Sequence, residues 1–152
     1  EFRRVLFRSL RDYPMAASFI DTNVIVRFLV ETPNSIQKKF GGVFSFFDKV
    51  ETGEIRIELT ELVLFESFFV LTRIYKIPAH EVSGALSKLV SFKGVNLPNS
   101  KIIINCFQII QVEQFDLVDA YLITYSKAKG IKGIYSFDKD MVKAGLNLLE
   151  IS

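Results

Sequence analysis

Cysteine, histidine and tryptophan are nearly missing from this chain: its 152 residues hold one cysteine (Cys106), one histidine (His80) and no tryptophan. One cysteine makes no disulfide within the chain, and Cys106 falls in an apolar, helix-like stretch, so a buried thiol in a reducing compartment is expected. A cysteine-based metal site is excluded. Long apolar runs are missing too. The stretch Ile102 to Val112 is interrupted by Asn105, Gln108 and Gln111 and is too short for a bilayer, so no membrane span is expected. There is no internal repeat and no low-complexity segment. What is present is 49% hydrophobic content and a mean hydropathy of +0.28, which suits one compact domain with a full core.

A charge excess of one sign is also lacking. The chain carries 19 Lys+Arg and 17 Asp+Glu, but residues 1–14 hold four arginines (Arg3, Arg4, Arg8, Arg11) and two acids (Glu1, Asp12). Taking those four and two away leaves 15 of each. The sequence pI of 8.7 is therefore no argument for nucleic-acid binding; only the placement of charges can make one. The first nine residues match a reading-frame translation of a sequencing-library adaptor, so residues 1–14 are expected to be a non-native leader, with the natural start at Met15.

The chain is organised around Ser18-Phe19-Ile20-Asp21-Thr22-Asn23-Val24-Ile25-Val26-Arg27-Phe28-Leu29. Phe19 and Ile20 read as a buried parallel strand, and Val24, Ile25, Phe28 and Leu29 recur at helical spacing. Asp21 sits where strand meets helix, the edge of an α/β sheet at which ligands bind; the plainer explanation for it is a helix N-cap. Further helices are expected at about 36–50 (weakened by Gly41-Gly42), 61–76, 80–92, 100–111, 116–129 and 141–144. Short strands are expected near 55–59, 94–98, 134–136 and 148–151. Alternating strands and helices indicate an α/β fold with a parallel sheet.

Acidic residues matter at three more places. Glu66 has apolar residues three and four positions away on its own face (Leu62, Val63, Phe69, Val70), where a lone buried carboxylate costs several kcal/mol. An ion pair with Arg73, exposure at a helix edge, a metal ion or a shared proton would each relieve it. Asp116 and Asp119 lie three apart at a helix start, as a capping pair or as two acids on one side. Asp138 follows a strand end, with Asp140 two residues on. Clustered carboxylates are tolerated mainly where a divalent cation neutralises them, and an all-oxygen set suits Mg²⁺ or Mn²⁺.

Phe19-Ile20-Asp21-Thr22-Asn23, the Glu66 helix with Tyr75 near its end, Phe115-Asp116-Leu117-Val118-Asp119-Ala120 and Tyr135-Ser136-Phe137-Asp138-Lys139-Asp140 together resemble PIN-domain proteins of the VapC toxin type, in order and spacing. The resemblance runs from Met15 to the C-terminus and implies a single PIN domain over 15–152. It implies a three-layer α/β/α fold whose central, mainly parallel sheet has about four to five short strands. It also implies a cytoplasmic Mg²⁺-dependent endoribonuclease in which Mn²⁺ may substitute, paired with a VapB-like antitoxin and often a homodimer. Carried over by position, Asp21, Glu66, Asp119 and Asp138 match the catalytic acids, with Asp21 and Asp119 as direct metal ligands. Asp116 and Asp140 are supporting acids, and Asn23 and Ser136 orient the first and last carboxylates. The alternative is a catalytically silent PIN-fold binding module for RNA or antitoxin. A phosphoacceptor receiver domain fits poorly, because Glu66 lies mid-helix where that fold needs an Asp at a strand end.

Weaker signals complete the reading. His80 is expected on the surface, and Lys127, Lys129, Lys132, Lys139 and Lys143 as a solvated basic face or as phosphate contacts. Phe46, Phe47, Phe68 and Phe69 exceed one helical face and are candidates for a dimer or antitoxin surface.

Overall fold

The computed structural model describes residues 17–113 and 115–152; the expected leader at 1–14 and the expected start at Met15 lie outside them. Among the described residues five strands of two residues each alternate with helices. β1 is Ser18–Phe19, α1 Thr22–Val30, α2 Gly42–Thr52, β2 Ile57–Glu58, α3 Glu61–Phe69, α4 Ala79–Val90 and β3 Val95–Asn96. α5 (Ser100–Val112), α6 (Leu117–Lys129), β4 (Gly133–Ile134), α7 (Asp140–Lys143) and β5 (Asn147–Leu148) follow. Every strand pair is parallel, so each return passes through a helical crossover, and the result is the expected α/β/α arrangement. The five strands form two ladders, β1-β2-β3 and β4-β5. Ser18 and Phe19 pair with Ile57 and Glu58, which pair in turn with Val95 and Asn96. The Asn96 amide donates to both Glu58 carboxylate oxygens, at 3.0 and 2.8 Å, and pins that register.

One core holds the larger ladder and helices α1 to α6. Ile25 and Val26 of α1, Phe47 and Val50 of α2, Leu64 and Phe68 of α3, Leu86 and Leu89 of α4, and Ile103 and Phe107 of α5 are all buried in it. The helical periodicity of these segments accounts for which face turns inward: Val82, Leu86, Leu89 and Val90 are buried as their spacing predicts. A second, small cluster of Ile123, Met141 and Leu146 sits under β4-β5. α6 serves both, with Leu117 and Ala120 in the large core and Ile123 in the small one. Among the described residues no helix is long and apolar enough to cross a membrane.

Several local expectations change. Phe19 is 82% exposed while Ile20 is buried, because successive strand residues point to opposite faces. The expected helix at 36–50 breaks at its glycines into a 3₁₀ turn, Lys38–Phe40, and α2, which starts at Gly42. The expected helix at 61–76 is α-helical only to Phe69 and continues as a π-helix over Val70–Ile74. Phe47 and Phe68 are buried, and Phe46 and Phe69 are partly buried and pack against the core. Phe28 stacks on Phe47 at 4.0 Å and Phe68 on Phe107 at 6.2 Å, pairings that join α1 to α2 and α3 to α5. Cys106 is buried as expected, and burial pushes its thiol up to about 12, against a smaller opposing hydrogen bond with Thr124.

Candidate active site

Asp21 stands where extended backbone turns into α1 (φ −101°, ψ 153°). Its Oδ1 accepts the Thr22 N–H at 2.8 Å, and the Asn23 amide donates to its Oδ2 at 2.7 Å. The carboxylate is thus an N-cap by position, yet it binds the first helical amide rather than the second or third, the usual partners of a cap. Both oxygens are fixed in direction and each keeps a lone pair for another ligand.

Glu66 comes from α3, on the side opposite Leu64 and Phe68, and is exposed. The apolar neighbours that suggested a buried carboxylate lie partly on the outside, Leu62 being 79% exposed. No ion pair with Arg73 forms; that guanidinium lies 4.5 Å over the Phe69 ring. Instead the Thr22 hydroxyl donates a hydrogen bond to Glu66 Oε2. Thr22 is buried, so this bond satisfies an otherwise stranded hydroxyl and ties α1 to α3 at the carboxylate. Asp21, Thr22, Asn23 and Glu66 line one cleft of about 390 Å³, together with Val26, Arg27, Val30, Glu31, Val70 and Tyr75. Thr22 and the cleft-lining role of Tyr75 were not visible in the sequence. A threonine in a first helical turn signals only capping, and its partner lies on another helix.

The second group forms around α6. Asp116 caps this helix, its Oδ1 accepting the Asp119 N–H at 2.9 Å. In the loop after β4, the Asp138 N–H donates to Ser136 Oγ at 3.0 Å and the Asp140 N–H to Asp138 Oδ1 at 2.8 Å. Ser136 therefore holds the last carboxylate through its main chain. Lys143 Nζ lies 2.7 Å from Asp140 Oδ1, which raises the lysine pKa. Asp119 is half-buried, and its pKa is raised first by burial and then by the fields of Asp116, Asp138 and Asp140. Phe115, just before α6, and Ile134 of β4 pack against the same small cluster, which puts the helix start near the β4 loop. His80 is exposed, as are Lys127, Lys129, Lys132, Lys139 and Lys143.

The predicted residues are gathered, then, as two sets: Asp21, Asn23 and Glu66 at the cleft, and Asp116, Asp119, Ser136, Asp138 and Asp140 around the start of α6. Among the described residues no three His, Cys, Asp or Glu side chains form a cage for one ion. The donor chemistry, all oxygen, fits a hard dication. The open arrangement also fits Mg²⁺, which is commonly held by one or two carboxylates, with water and substrate phosphate supplying the rest.

The chain is similar to the crystal structure of VapC20 from Mycobacterium tuberculosis, a sarcin-ricin-loop-cleaving toxin, at 19% identity and a TM-score of 0.36, covering 89% of this chain and 100% of that one. No curated protein matches the sequence. The sequence model of the PIN domain matches residues 18–146, most of the chain. The chain belongs to the PIN domain family.

Proposed function

We propose that this PIN domain is a Mg²⁺-dependent endoribonuclease, with Mn²⁺ able to substitute, acting in the cytoplasm as the toxin of a VapBC-like pair. The observation that carries the reading is the meeting of Asp21 and Glu66 at one cleft, from a strand end and a separate helix, with Thr22 joining them. The motif resemblance and the second acidic set on α6 and the β4 loop support it.

Asp21 and Asp119 would hold the ion. When bound, Mg²⁺ supplies charge to the phosphodiester oxygens and makes a nearby water more acidic. Asp21 is pre-aimed by the Thr22 amide and Asn23, so it pays little reorganisation on binding. Glu66 has one oxygen occupied by the Thr22 hydroxyl and the other free to orient the attacking water and accept its proton. Asp138 would share with Glu66 the holding of the ion's water or of a second ion, its loop set by Ser136 and Asp140. Asp116 fixes the first turn of α6 and with it Asp119.

The test is cleavage of a panel of structured RNAs by the purified chain, with Mg²⁺ or with EDTA, beside Asp21→Asn. Cleavage is expected only with Mg²⁺, and Asp21→Asn is expected to lower it by about 10²-fold or more with an unchanged circular dichroism spectrum. Full metal-dependent activity in the folded variant would refute the assignment. RNA binding without cleavage would select the silent binding module. The antitoxin is sought in the adjacent reading frame, and sedimentation equilibrium checks the homodimer.

A further inference from the structure

The cleft beside Asp21 has a wall that the carboxylate chemistry does not use. Tyr75 lines it, 50% exposed. Glu66 and Tyr75 are nine residues apart, about two and a half turns of α-helix, which would put them on opposite faces. The π-helix over Val70–Ile74 changes that. Tyr75 N–H donates to the Val70 carbonyl five residues back, at 3.2 Å, and the extra residue in the turn rotates the end of the element toward Glu66. Lys76 then takes a left-handed backbone (φ 58°), and Ile77-Pro78 ends the segment.

The remaining walls define what fits. Val26, Val30 and Val70 are apolar. Asp21, Glu31 and Glu66 outnumber Arg27 among the charged groups, so the neutral part of a nucleotide suits this cleft better than a bare phosphate. Arg27 is already engaged, 3.7 Å from the centre of the Phe40 ring and 3.5 Å from Glu31. Tyr75 is the open aromatic face in the cleft, and the volume of about 390 Å³ lies in the range of small-ligand sites, about 300–1,000 Å³.

We infer that this cleft is a nucleobase subsite, in which an unpaired base of the substrate stacks on Tyr75 beside the valines and its backbone passes Asp21 and Glu66. The inference rests on the nuclease reading above and adds a selection to it. A base reaches an aromatic face only when it has left its own helix, so the subsite favours unpaired RNA over duplex and tolerates any base identity.

Two measurements on the full chain test it. The first is an NMR titration with adenosine, which has no phosphate and needs no metal, following the Tyr75 ring resonances, assigned by comparison with Tyr75→Phe. Upfield ring-current shifts are expected; adenosine that leaves these resonances unmoved would overturn the subsite. The second is cleavage of a single-stranded RNA with Mg²⁺. Tyr75→Leu, which keeps apolar bulk without an aromatic face, is expected to raise KM about tenfold or more, whereas Tyr75→Phe stays near the original value. An unchanged KM in Tyr75→Leu also counts against the proposal. If the ring shifts appear and no RNA is cut, the subsite stands and the nuclease reading fails. If RNA is cut and neither measurement follows Tyr75, the reverse holds.

Discussion

Asp119 shows how a residue serves the proposed chemistry at a cost to the fold. Its carboxyl is raised above its ordinary range by burial and by three neighbouring acids, so the folded chain holds that proton more tightly than the unfolded chain does. Below the ordinary carboxylate range, about pH 4, both states carry the proton and nothing is lost. As pH rises through the unfolded and then the folded value, folding must accommodate a disfavoured charge, and the penalty is complete above the folded value. Asp119→Asn is therefore expected to raise the melting temperature at pH 7, with the gain fading as pH falls to about 4. Thermal melts of both proteins across that range check it, and equal stability at pH 7 would contradict it. Legibility at this scale followed sequence distance. Asp21 and Asn23 were readable because their hydrogen bonds are local. Thr22 was not, since its hydroxyl finds its partner 44 residues away. For Glu66 the choice between burial and exposure at a helix edge stayed open, because sequence periodicity marks Leu62 as apolar without saying that it faces out.

The elements show the same division. Strand positions were legible from short apolar segments between turn signals, although each ladder is only two residues wide and the split into two ladders depends on pairings that no local pattern encodes. The π-helix at the end of α3 was hidden too, since the apolar run from Leu62 to Leu71 continues across the change of register. Gly94 is where close approach of two elements is decided by one atom. Its N–H donates to the Val50 carbonyl at 2.9 Å and its carbonyl accepts from Ile57 at 2.8 Å, joining the end of α2 to β2 and β3. A Cβ there would lie 2.0 Å from the Ile55 carbonyl oxygen and 2.7 Å from that of Val50, both main-chain atoms that cannot swing aside. Gly94→Ala is expected to cost about 3 kcal/mol, lowering the melting temperature by roughly 10 °C. Gly42→Ala is the control. Nothing lies within 4 Å of a Cβ at that position in α2, so this change should be neutral or add about 0.5 kcal/mol. Similar melting temperatures for the two variants would show that the close approach at Gly94 is not what holds β2 and β3 to α2.

At the scale of the whole molecule, the proposed site is shared between parts of unequal strength. Asp21 and Glu66 are anchored in the large core. Asp138 stands on the loop between β4 and α7 and Asp140 at the start of α7, over a cluster whose buried members are Ile123, Met141 and Leu146. Cooperative units with few buried apolar contacts open at lower free energy than the global transition. Native-state hydrogen exchange is therefore expected to find the β4-β5 amides, such as Asn147 and Leu149, which donate to Lys132 and Ile134, opening well before those of Leu86, Ile103 and Phe107. α6 spans both clusters and carries Asp119, so an ion held between Asp21 and Asp119 would couple the weaker part to the stronger. Binding to the native state alone stabilises by RT ln(1 + [L]/Kd), about 2.7 kcal/mol at a concentration one hundred times Kd. Saturating Mg²⁺ is thus expected to slow exchange at Asn147 and Leu149 and at the first amides of α6, and to leave Asp21→Asn unchanged. Slowing of equal size in that variant would place the ion on the α6 and β4-loop acids alone, and the two acidic sets would then be separate sites.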